Sequence, residues 1–160
     1  PFYLVGYSVG VHSAFEVARR LERDGRQAVL LMLDRGPEME EEYEVNDEFV
    51  QQLLANHEPL LTQLIDAGAG TRAVVEARIV QTLKGLRAYG QPAAINSPIF
   101  SFEARKNWAQ DYMIHWQKNT TAGHELQHLE GKHFEALSPG NIVLISQTLK
   151  KAIHEKASIY

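Results

Sequence analysis

The sequence predicts an α/β fold with a mostly parallel sheet flanked by helices. The short apolar run Tyr3-Leu4-Val5 ends at Gly6, which indicates a buried strand. From Val11 onward the apolar residues recur at helical spacing until Asp24-Gly25 ends the helix. A continuous apolar run follows over residues 28–33, and strands that are apolar on both faces are typical of parallel sheets covered by helices. The chain therefore opens with a strand, a tight turn, a helix and a second strand, which form one βαβ unit.

Composition excludes several classes of function. The chain has 160 residues, of which 44% are hydrophobic, enough for one core. Its formal net charge is −4 and it has no basic stripe, so we expect no nucleic-acid partner. No apolar run is long enough to cross a bilayer, so we expect no membrane partner. The absence of cysteine excludes disulfides and thiolate zinc sites and fits the reducing cytoplasm, where we expect the protein to act.

The rest of the chain alternates a helical block with two further strands. Residues 46–90 read as wholly helical and as an insertion between two strands of the sheet. Strand character returns over Ile95–Phe102, with Pro98 inside it, and again over Glu125–Glu130. Ser138-Pro139 then predicts the start of a last amphipathic helix. The sheet that this chain can build is therefore expected to have about four strands.

The segment Gly6-Tyr7-Ser8-Val9-Gly10 matches the G-x-S-x-G pattern of a nucleophile elbow. In this pattern a serine sits on a sharp turn between a strand and a helix, which is the context predicted here. We expect side chains at positions 6 and 10 to collide across the turn, which explains the glycine at each. Ser8 is therefore the candidate nucleophile. The N–H of Val9, at the start of the helix, is the candidate donor to an oxyanion.

A serine nucleophile needs a base, and the base needs an acid that orients it. Asp34 follows directly on the run 28–33, at the carboxyl end of the strand beside the one that leads to Ser8. Catalytic groups collect at that edge of an α/β sheet, so Asp34 is the candidate acid. Glu103, at the end of the next predicted strand, is the competing candidate, although the following Arg105-Lys106 indicates a solvated position.

Seven histidines compete for the role of base. His133 follows a predicted strand and a glycine, in a loop shortly before the last helix. It also completes the order serine, aspartate, histidine along the chain, which is the order expected of this arrangement. His133 is therefore the candidate base. We expect structural or surface positions for the others, which are His12, His57, His115, His124, His128 and His154.

Three segments together resemble the thioesterase domains of nonribosomal peptide and polyketide synthases, which have an α/β-hydrolase fold. Residues 3–10 are similar to the elbow of that family, and residues 31–37 are similar to its acid-bearing strand end. Residues 131–137 are similar to its histidine loop, and Trp116, which lies before a Thr-Ala-Gly turn, also fits the family pattern.

The resemblance implies a partial α/β-hydrolase fold with an all-helical lid insertion. The core would comprise residues 1–36 and 93–160, and the lid about residues 37–92. Several strands precede the elbow in complete domains of this family and supply a second oxyanion donor. Because the elbow here begins at Gly6 and the chain opens with Pro1 rather than Met, we interpret it as the C-terminal part of one domain. We expect the missing N-terminal part of that domain to be a structural partner.

The resemblance also implies a substrate and a mechanism. The substrate is an acyl or peptidyl chain held as a thioester on the phosphopantetheine of a carrier domain, which is the expected partner. Ser8 attacks the thioester, His133 takes the proton of the serine, and Asp34 orients the imidazole. The domain itself is expected to bind no metal and no cofactor.

Other interpretations stay open at this point. A free-standing editing thioesterase resembles the same family but usually takes its acid from the later strand, where Glu103 lies. A generic lipase or esterase and a synthase acyltransferase domain also use G-x-S-x-G. A non-catalytic interaction domain that retains the fold is the alternative from another class.

Overall fold

The computed structural model describes residues 1–37, 46–56, 58–89, 93–104 and 112–157. The chain divides into two compact units. The first unit comprises Pro1–Glu38 and Gln91–Tyr160, and the second comprises Met39–Gly90. Each unit has its own group of buried apolar residues.

The first unit is built on one four-stranded sheet in which every neighbouring pair is parallel. The strands lie in chain order, as β1 Phe2–Tyr7, β2 Ala28–Leu33, β3 Ile99–Ala104 and β4 His124–Leu129. Helix α1, Gly10–Arg23, connects β1 to β2, and helix α5, Pro139–Ala157, follows β4. Because all four strands run in one direction, their carboxyl ends meet at a single edge of the sheet. The predicted α/β fold with a parallel sheet of four strands is confirmed.

Strand β2 is buried along its whole length because helices or helical turns cover both faces of the sheet. Its even-numbered residues pack on α1 and on a 3₁₀ helix, Tyr112–Asn119, where Phe15 and Trp116 are fully buried. Its odd-numbered residues pack on the opposite face, with Phe102 and with residues of α5. This two-sided burial is the reason that residues 28–33 are continuously apolar.

The third strand begins later than the sequence predicts. Ile95 forms an isolated bridge with Thr120, and β3 itself begins at Ile99, directly after Pro98. Between them, the backbone N–H of Asn96 and the hydroxyl of Ser97 both donate to the carboxylate of Glu22 on α1. These side-chain bonds take the place of ladder bonds, so the chain bends before it joins the sheet.

The second unit is helical throughout its described residues. Helices α2 Asp47–Asn56, α3 Glu58–Asp66 and α4 Arg72–Tyr89 surround a small core of Val50, Leu54, Leu61 and Val75. Gly68 and Gly70, both with positive φ angles of 82° and 128°, lie in the break between α3 and α4. The predicted helical character of this block is confirmed, while its role as a lid stays a prediction.

None of the helices in the described ranges combines the length and the apolar character that crossing a lipid bilayer requires.

Candidate active site

Ser8 occupies a strained turn between β1 and α1. Its φ angle is 52°, in the left-handed region that non-glycine residues rarely adopt. The backbone N–H of Ser8 donates to the carbonyl of Leu33 at 2.9 Å, which ties the turn to the end of β2. Helix α1 begins at Gly10, two positions after the serine. The sharp turn predicted from G-x-S-x-G is therefore present, and it lies at the carboxyl edge of the sheet.

The two glycines of the motif do not have the same role. A Cβ atom on Gly6 would lie 2.6 Å from the Cα of Val11 and 2.8 Å from the carbonyl oxygen of Gly10. A Cβ atom on Gly10 would meet no atom of the described residues within 4 Å. The expectation that both positions need glycine for steric reasons is therefore wrong for Gly10. Helix α1 passes over the end of β1 at Gly6, whereas the side-chain direction of Gly10 points into open space.

Asp34 lies one residue beyond β2, as Ser8 lies one residue beyond β1. It also has a left-handed backbone, with a φ angle of 54°, and its N–H donates to the carbonyl of Phe102 at 2.7 Å. The residue is 2% exposed. A buried carboxylate needs hydrogen-bond donors, and the structure supplies three. Two of them reach Oδ1, from the N–H of Ala104 at 2.8 Å and from the hydroxyl of Tyr112 at 2.5 Å.

The third donor to Asp34 is His133. Its Nδ1 lies 2.7 Å from Oδ2 of Asp34, and its Nε2 lies 3.0 Å from Oγ of Ser8. An imidazole that donates from Nδ1 to a carboxylate has an unprotonated Nε2, which can accept the proton of a hydroxyl. The structure therefore brings the three residues singled out from the sequence into one hydrogen-bonded chain. They come from positions 125 residues apart at the extremes.

Opposing effects act on the pKa of Asp34. Burial alone raises this pKa, while the hydrogen bonds from His133, Tyr112 and the N–H of Ala104 lower it, and the net result is a pKa below the usual value. The carboxylate is therefore ionised at neutral pH although it is buried. An ionised carboxylate favours positive charge on the neighbouring imidazole, which a general base acquires when it takes a proton.

Glu103 is not solvated, contrary to the expectation from its basic neighbours. It is 4% exposed, and one of its carboxylate oxygens accepts the N–H of Met113 at 3.2 Å. The 3₁₀ helix covers this end of β3 and excludes water from the side chain. The adjacent Arg105-Lys106 lies outside the described residues. His133 hydrogen-bonds to Asp34, so the structure pairs the imidazole with the candidate on β2 and not with its competitor.

The 3₁₀ helix also holds the segment that follows Asp34. The indole N–H of Trp116 donates to the carbonyl of Arg35 at 2.8 Å. A Cβ atom on Gly36 would lie 3.1 Å from the carbonyl oxygen of Tyr112, so the segment packs closely on the 3₁₀ helix. Trp116 was noted in the sequence, but Tyr112 was missed because no local pattern marks a tyrosine that acts 78 residues from its partner.

The loop that carries His133 has its own set of contacts. Residues His133–Glu135 form a short 3₁₀ turn, and the carboxylate of Glu135 accepts the N–H of Lys132 at 2.7 Å. Asn141, on the first turn of α5, is 5% exposed and bonds the loop at both ends. Its Oδ1 accepts the N–H of Glu130 at 3.1 Å, and its Nδ2 donates to the carbonyls of Glu130 and Glu135 at 2.9 and 3.0 Å.

Val9, the candidate oxyanion donor, is the residue before α1. The N–H groups of Val11 and His12 are occupied, since they donate to the carbonyls of Ser8 and Val9. The N–H of Val9 precedes these turns and belongs to the first-turn donors that a helix leaves unpaired by its own backbone. The residue is 40% exposed. Its role as a donor stays a prediction.

The other described histidines occupy different elements. His12 lies in α1, is 6% exposed and packs beside Trp116 at a ring-centroid distance of 6.0 Å. Burial and the positive charge of Arg35 lower the pKa of His12 to about 4, so it is neutral at pH 7. Burial also lowers the pKa of His124, whose Nε2 lies 2.9 Å from Oγ of Ser101. The remaining three lie in the 3₁₀ helix, β4 and α5, and His57 lies outside the described residues.

Within the described ranges, no group of three or more histidine, aspartate or glutamate side chains is arranged to hold a metal ion.

A family model described as "Thioesterase domain" matches residues 1–152. The chain belongs to the thioesterase domain family. A sequence relative of this thioesterase domain is the vanchrobactin synthetase VabF of Vibrio anguillarum, which is 26% identical over 173 aligned positions. The alignment covers 99% of this chain and 6% of the synthetase, so the chain spans a small part of that relative's length.

Solved structures of thioesterases share the fold of this domain. Human thioesterase 2 superposes with a TM-score of 0.69 and 21% identity, over 96% of this chain and 73% of that one. The surfactin thioesterase domain SrfTE, whose structure was described for cyclisation of that lipopeptide antibiotic, gives 0.63 and 20%, over 95% and 67%. RedJ, from the prodiginine pathway of Streptomyces coelicolor, gives 0.60 and 24%, over 91% and 59%.

Proposed function

We propose that this domain releases an acyl or peptidyl chain from the phosphopantetheine of a carrier domain through an acyl-enzyme on Ser8. The observation that carries the proposal is the continuous hydrogen-bonded chain from Asp34 through His133 to Ser8, with distances of 2.7 and 3.0 Å. Membership of the thioesterase domain family supports the reaction type. The similarity to a synthetase, together with the resemblance of three segments to thioesterase domains of nonribosomal peptide and polyketide synthases, supports the carrier domain as partner.

The mechanism follows from the positions of the three side chains. Nε2 of His133 accepts the proton of Ser8 as Oγ forms a bond to the thioester carbonyl. The N–H of Val9 donates to the resulting oxyanion. The intermediate collapses to an ester on Ser8 while the imidazolium returns its proton to the departing pantetheine sulfur. Water, or a nucleophile within the acyl chain, then repeats the sequence and releases an acid or a ring. No step requires a metal or a bound cofactor.

The decisive test uses the full-length protein and a synthetic acyl-pantetheine thioester. We expect the wild-type protein to gain the mass of the acyl group, and we expect Ser8→Ala to gain none. Ser13→Ala removes an exposed serine from helix α1, which follows the turn of Ser8, and serves as the matched control, which should acylate like wild type. An unacylated wild-type protein that also fails to react with a fluorophosphonate would favour the non-catalytic interaction domain.

A second test separates the two candidate acids. Asp34→Asn should lower the rate of acyl-enzyme formation on the order of 10⁴-fold, because an amide holds the imidazole in the wrong tautomer. Glu103→Gln preserves the shape of a buried side chain and the oxygen that accepts the N–H of Met113, so its rate should stay within about threefold of wild type. The opposite result would assign the acid to β3, as in the editing thioesterase interpretation.

A further inference from the structure

Tyr7, the residue between Gly6 and Ser8, contacts the candidate base in two ways. Its hydroxyl donates to the backbone carbonyl of His133 at 2.8 Å. Its ring stacks on the imidazole, with ring centroids 5.1 Å apart and planes inclined by 23°. Neither contact follows from the G-x-S-x-G pattern, in which this position is variable.

Two hydrogen bonds hold the imidazole at its nitrogens, from Asp34 at Nδ1 and from Ser8 at Nε2. A modest tilt of the ring about the line through these nitrogens costs the two bonds little, because hydrogen bonds weaken steeply only at large deviations from linearity. A contact with a face of the ring adds resistance to that tilt. Tyr7 makes that contact, whereas Phe134 meets the ring edge-on at 78° and is itself 60% exposed.

Tyr7 and Ser8 are consecutive, so they contact one histidine from a single rigid support. Tyr7 is the last residue of β1 and is paired with Leu33 of β2. Ser8 is held by its own bond to the carbonyl of Leu33. The distance between the nucleophile and the base is therefore set by adjacent residues that share one anchor in the sheet.

The hydroxyl of Tyr7 is a dependable donor, and the carbonyl that accepts from it has a second donor. Burial, and then the negative charge of Asp34, raise the pKa of this phenol, so it stays protonated. The carbonyl of His133 also accepts the N–H of Ala136 at 3.2 Å. Removing the hydroxyl thus leaves that carbonyl with one hydrogen bond. We therefore expect the removal to affect the position of His133 more than the free energy of unfolding.

We propose that Tyr7 is a positioning residue that fixes the orientation of the His133 imidazole toward Ser8, through its ring face and its hydroxyl. The inference rests on the proposed function of Ser8 and His133. It adds to that function a direct contact between the turn of Ser8 and the loop of His133 that does not involve Asp34.

The test compares Tyr7→Phe and Tyr7→Leu with Tyr3→Phe in the full-length protein. Tyr3 lies on the same face of β1 and packs against the same apolar cluster, so it controls for loss of a half-buried phenol. With the acyl-pantetheine thioester, Tyr7→Phe should lower kcat by about tenfold and Tyr7→Leu by about a hundredfold, the scale expected when a reacting group is misplaced by about 1 Å. KM should stay within about twofold for both, and Tyr3→Phe should match wild type.

A proton NMR spectrum supplies a readout that a purely structural role would not move. The proton shared by Nδ1 of His133 and Asp34 should give a downfield resonance in wild type and Tyr3→Phe. That resonance should broaden or vanish in Tyr7→Leu, while the melting temperature of Tyr7→Phe stays within about 3 °C of wild type.

Two results would overturn the inference. One is wild-type kcat in Tyr7→Phe and Tyr7→Leu, and the other is a loss of kcat that Tyr3→Phe reproduces. If Tyr7→Leu does not fold, the kcat of Tyr7→Phe alone decides. Turnover retained by Ser8→Ala would instead refute the proposed function, so the two failures are distinguishable.

Discussion

Two short segments of the first unit position Ser8 and His133 for the same series of hydrogen bonds, but they do so by different means. The turn of residues 6–10 is defined by local geometry. Ser8 has a left-handed backbone conformation, and Gly6 packs closely against the start of α1. The loop of residues 130–136 has local bonds of its own, but the position of His133 also depends on the side chain of Tyr7, and that of the loop on Asn141 of α5. The nucleophile is therefore placed mainly by nearby backbone, and the base by local bonds together with tertiary contacts.

The two segments also differ in which of their contacts a substitution can remove. In the turn, the tight contacts are between backbone atoms, which cannot move apart without unwinding α1 or shifting β1. In the loop, the contacts are hydrogen bonds from side chains, which can be removed one at a time. A substitution in the turn should therefore cause an abrupt, large loss of stability and activity, whereas substitutions in the loop should cause graded, smaller losses.

Gly6→Ala tests the abrupt case and carries the largest expected effect. Its Cβ would lie 2.6 Å from the Cα of Val11, so we expect a loss of about 3 kcal/mol in the free energy of unfolding. Displacement of Ser8 should also lower acyl-enzyme formation by at least about a hundredfold. Denaturant unfolding and intact-protein mass spectrometry measure the two effects.

Gly10→Ala is the matched control for Gly6→Ala. Its Cβ meets nothing within 4 Å, and alanine in the first turn of a helix restricts the unfolded chain. We therefore expect its free energy of unfolding to be equal to that of wild type or up to about 1 kcal/mol higher. Equal destabilisation by the two alanines would contradict the distinction between the two glycines.

Asn141→Ala tests the graded case. It removes the three hydrogen bonds that Asn141 makes to Glu130 and Glu135. We expect the free energy of unfolding to fall by about 2 kcal/mol, since the loop groups are only partly buried and water can replace some of the bonds. Acyl-enzyme formation should fall by about tenfold as His133 loses its fixed position.

Thr148→Val is a control on the same helix. Thr148 is 4% exposed and bonds to Gln127, away from the histidine loop. It should lower the free energy of unfolding by about 1 kcal/mol and leave the rate of acyl-enzyme formation unchanged. If both variants slow the reaction equally, general destabilisation and not loop position explains the result.

Tyr112→Phe tests a hydrogen bond to Asp34, the acid that binds His133, and has the smallest expected effect. It removes one donor from Oδ1 of Asp34, which keeps the N–H of Ala104. The free energy of unfolding at pH 7 should fall by about 1 kcal/mol. Because Asp34 has a pKa below its unfolded value, the stability linked to that shift is present above about pH 4 and is lost as the pH falls through the folded pKa.

The variant should have a smaller depression of the Asp34 pKa, so the difference from wild type should narrow as the pH falls below about 4. Unfolding curves at pH 7 and at acidic pH measure this convergence. A stability difference that does not change with pH would show that the hydroxyl of Tyr112 does not selectively stabilise the ionised form of Asp34.

Sequence reasoning failed where a position depends on neighbours that are distant in the chain. Glu103 was expected in water because of the basic residues after it, yet the 3₁₀ helix of residues 112–119 covers it. Gly10 was expected to be crowded, but the crowding lies on Gly6 alone. Tyr112 and Asn141 were not singled out, because their partners lie 78 residues away or in a loop without regular periodicity.

The sequence by itself determined the parallel sheet, the helical block and the turn under Ser8, because each depends on periodicity or on backbone rules that operate within a few residues. It also placed Asp34 at a strand end, where the chain direction of parallel strands brings such residues to one edge. Only the tertiary structure decided which carboxylate faces His133 and which side chains orient the imidazole. Those outcomes depend on hydrogen-bond angles and ring contacts between segments whose separation along the chain carries no information about their separation in space.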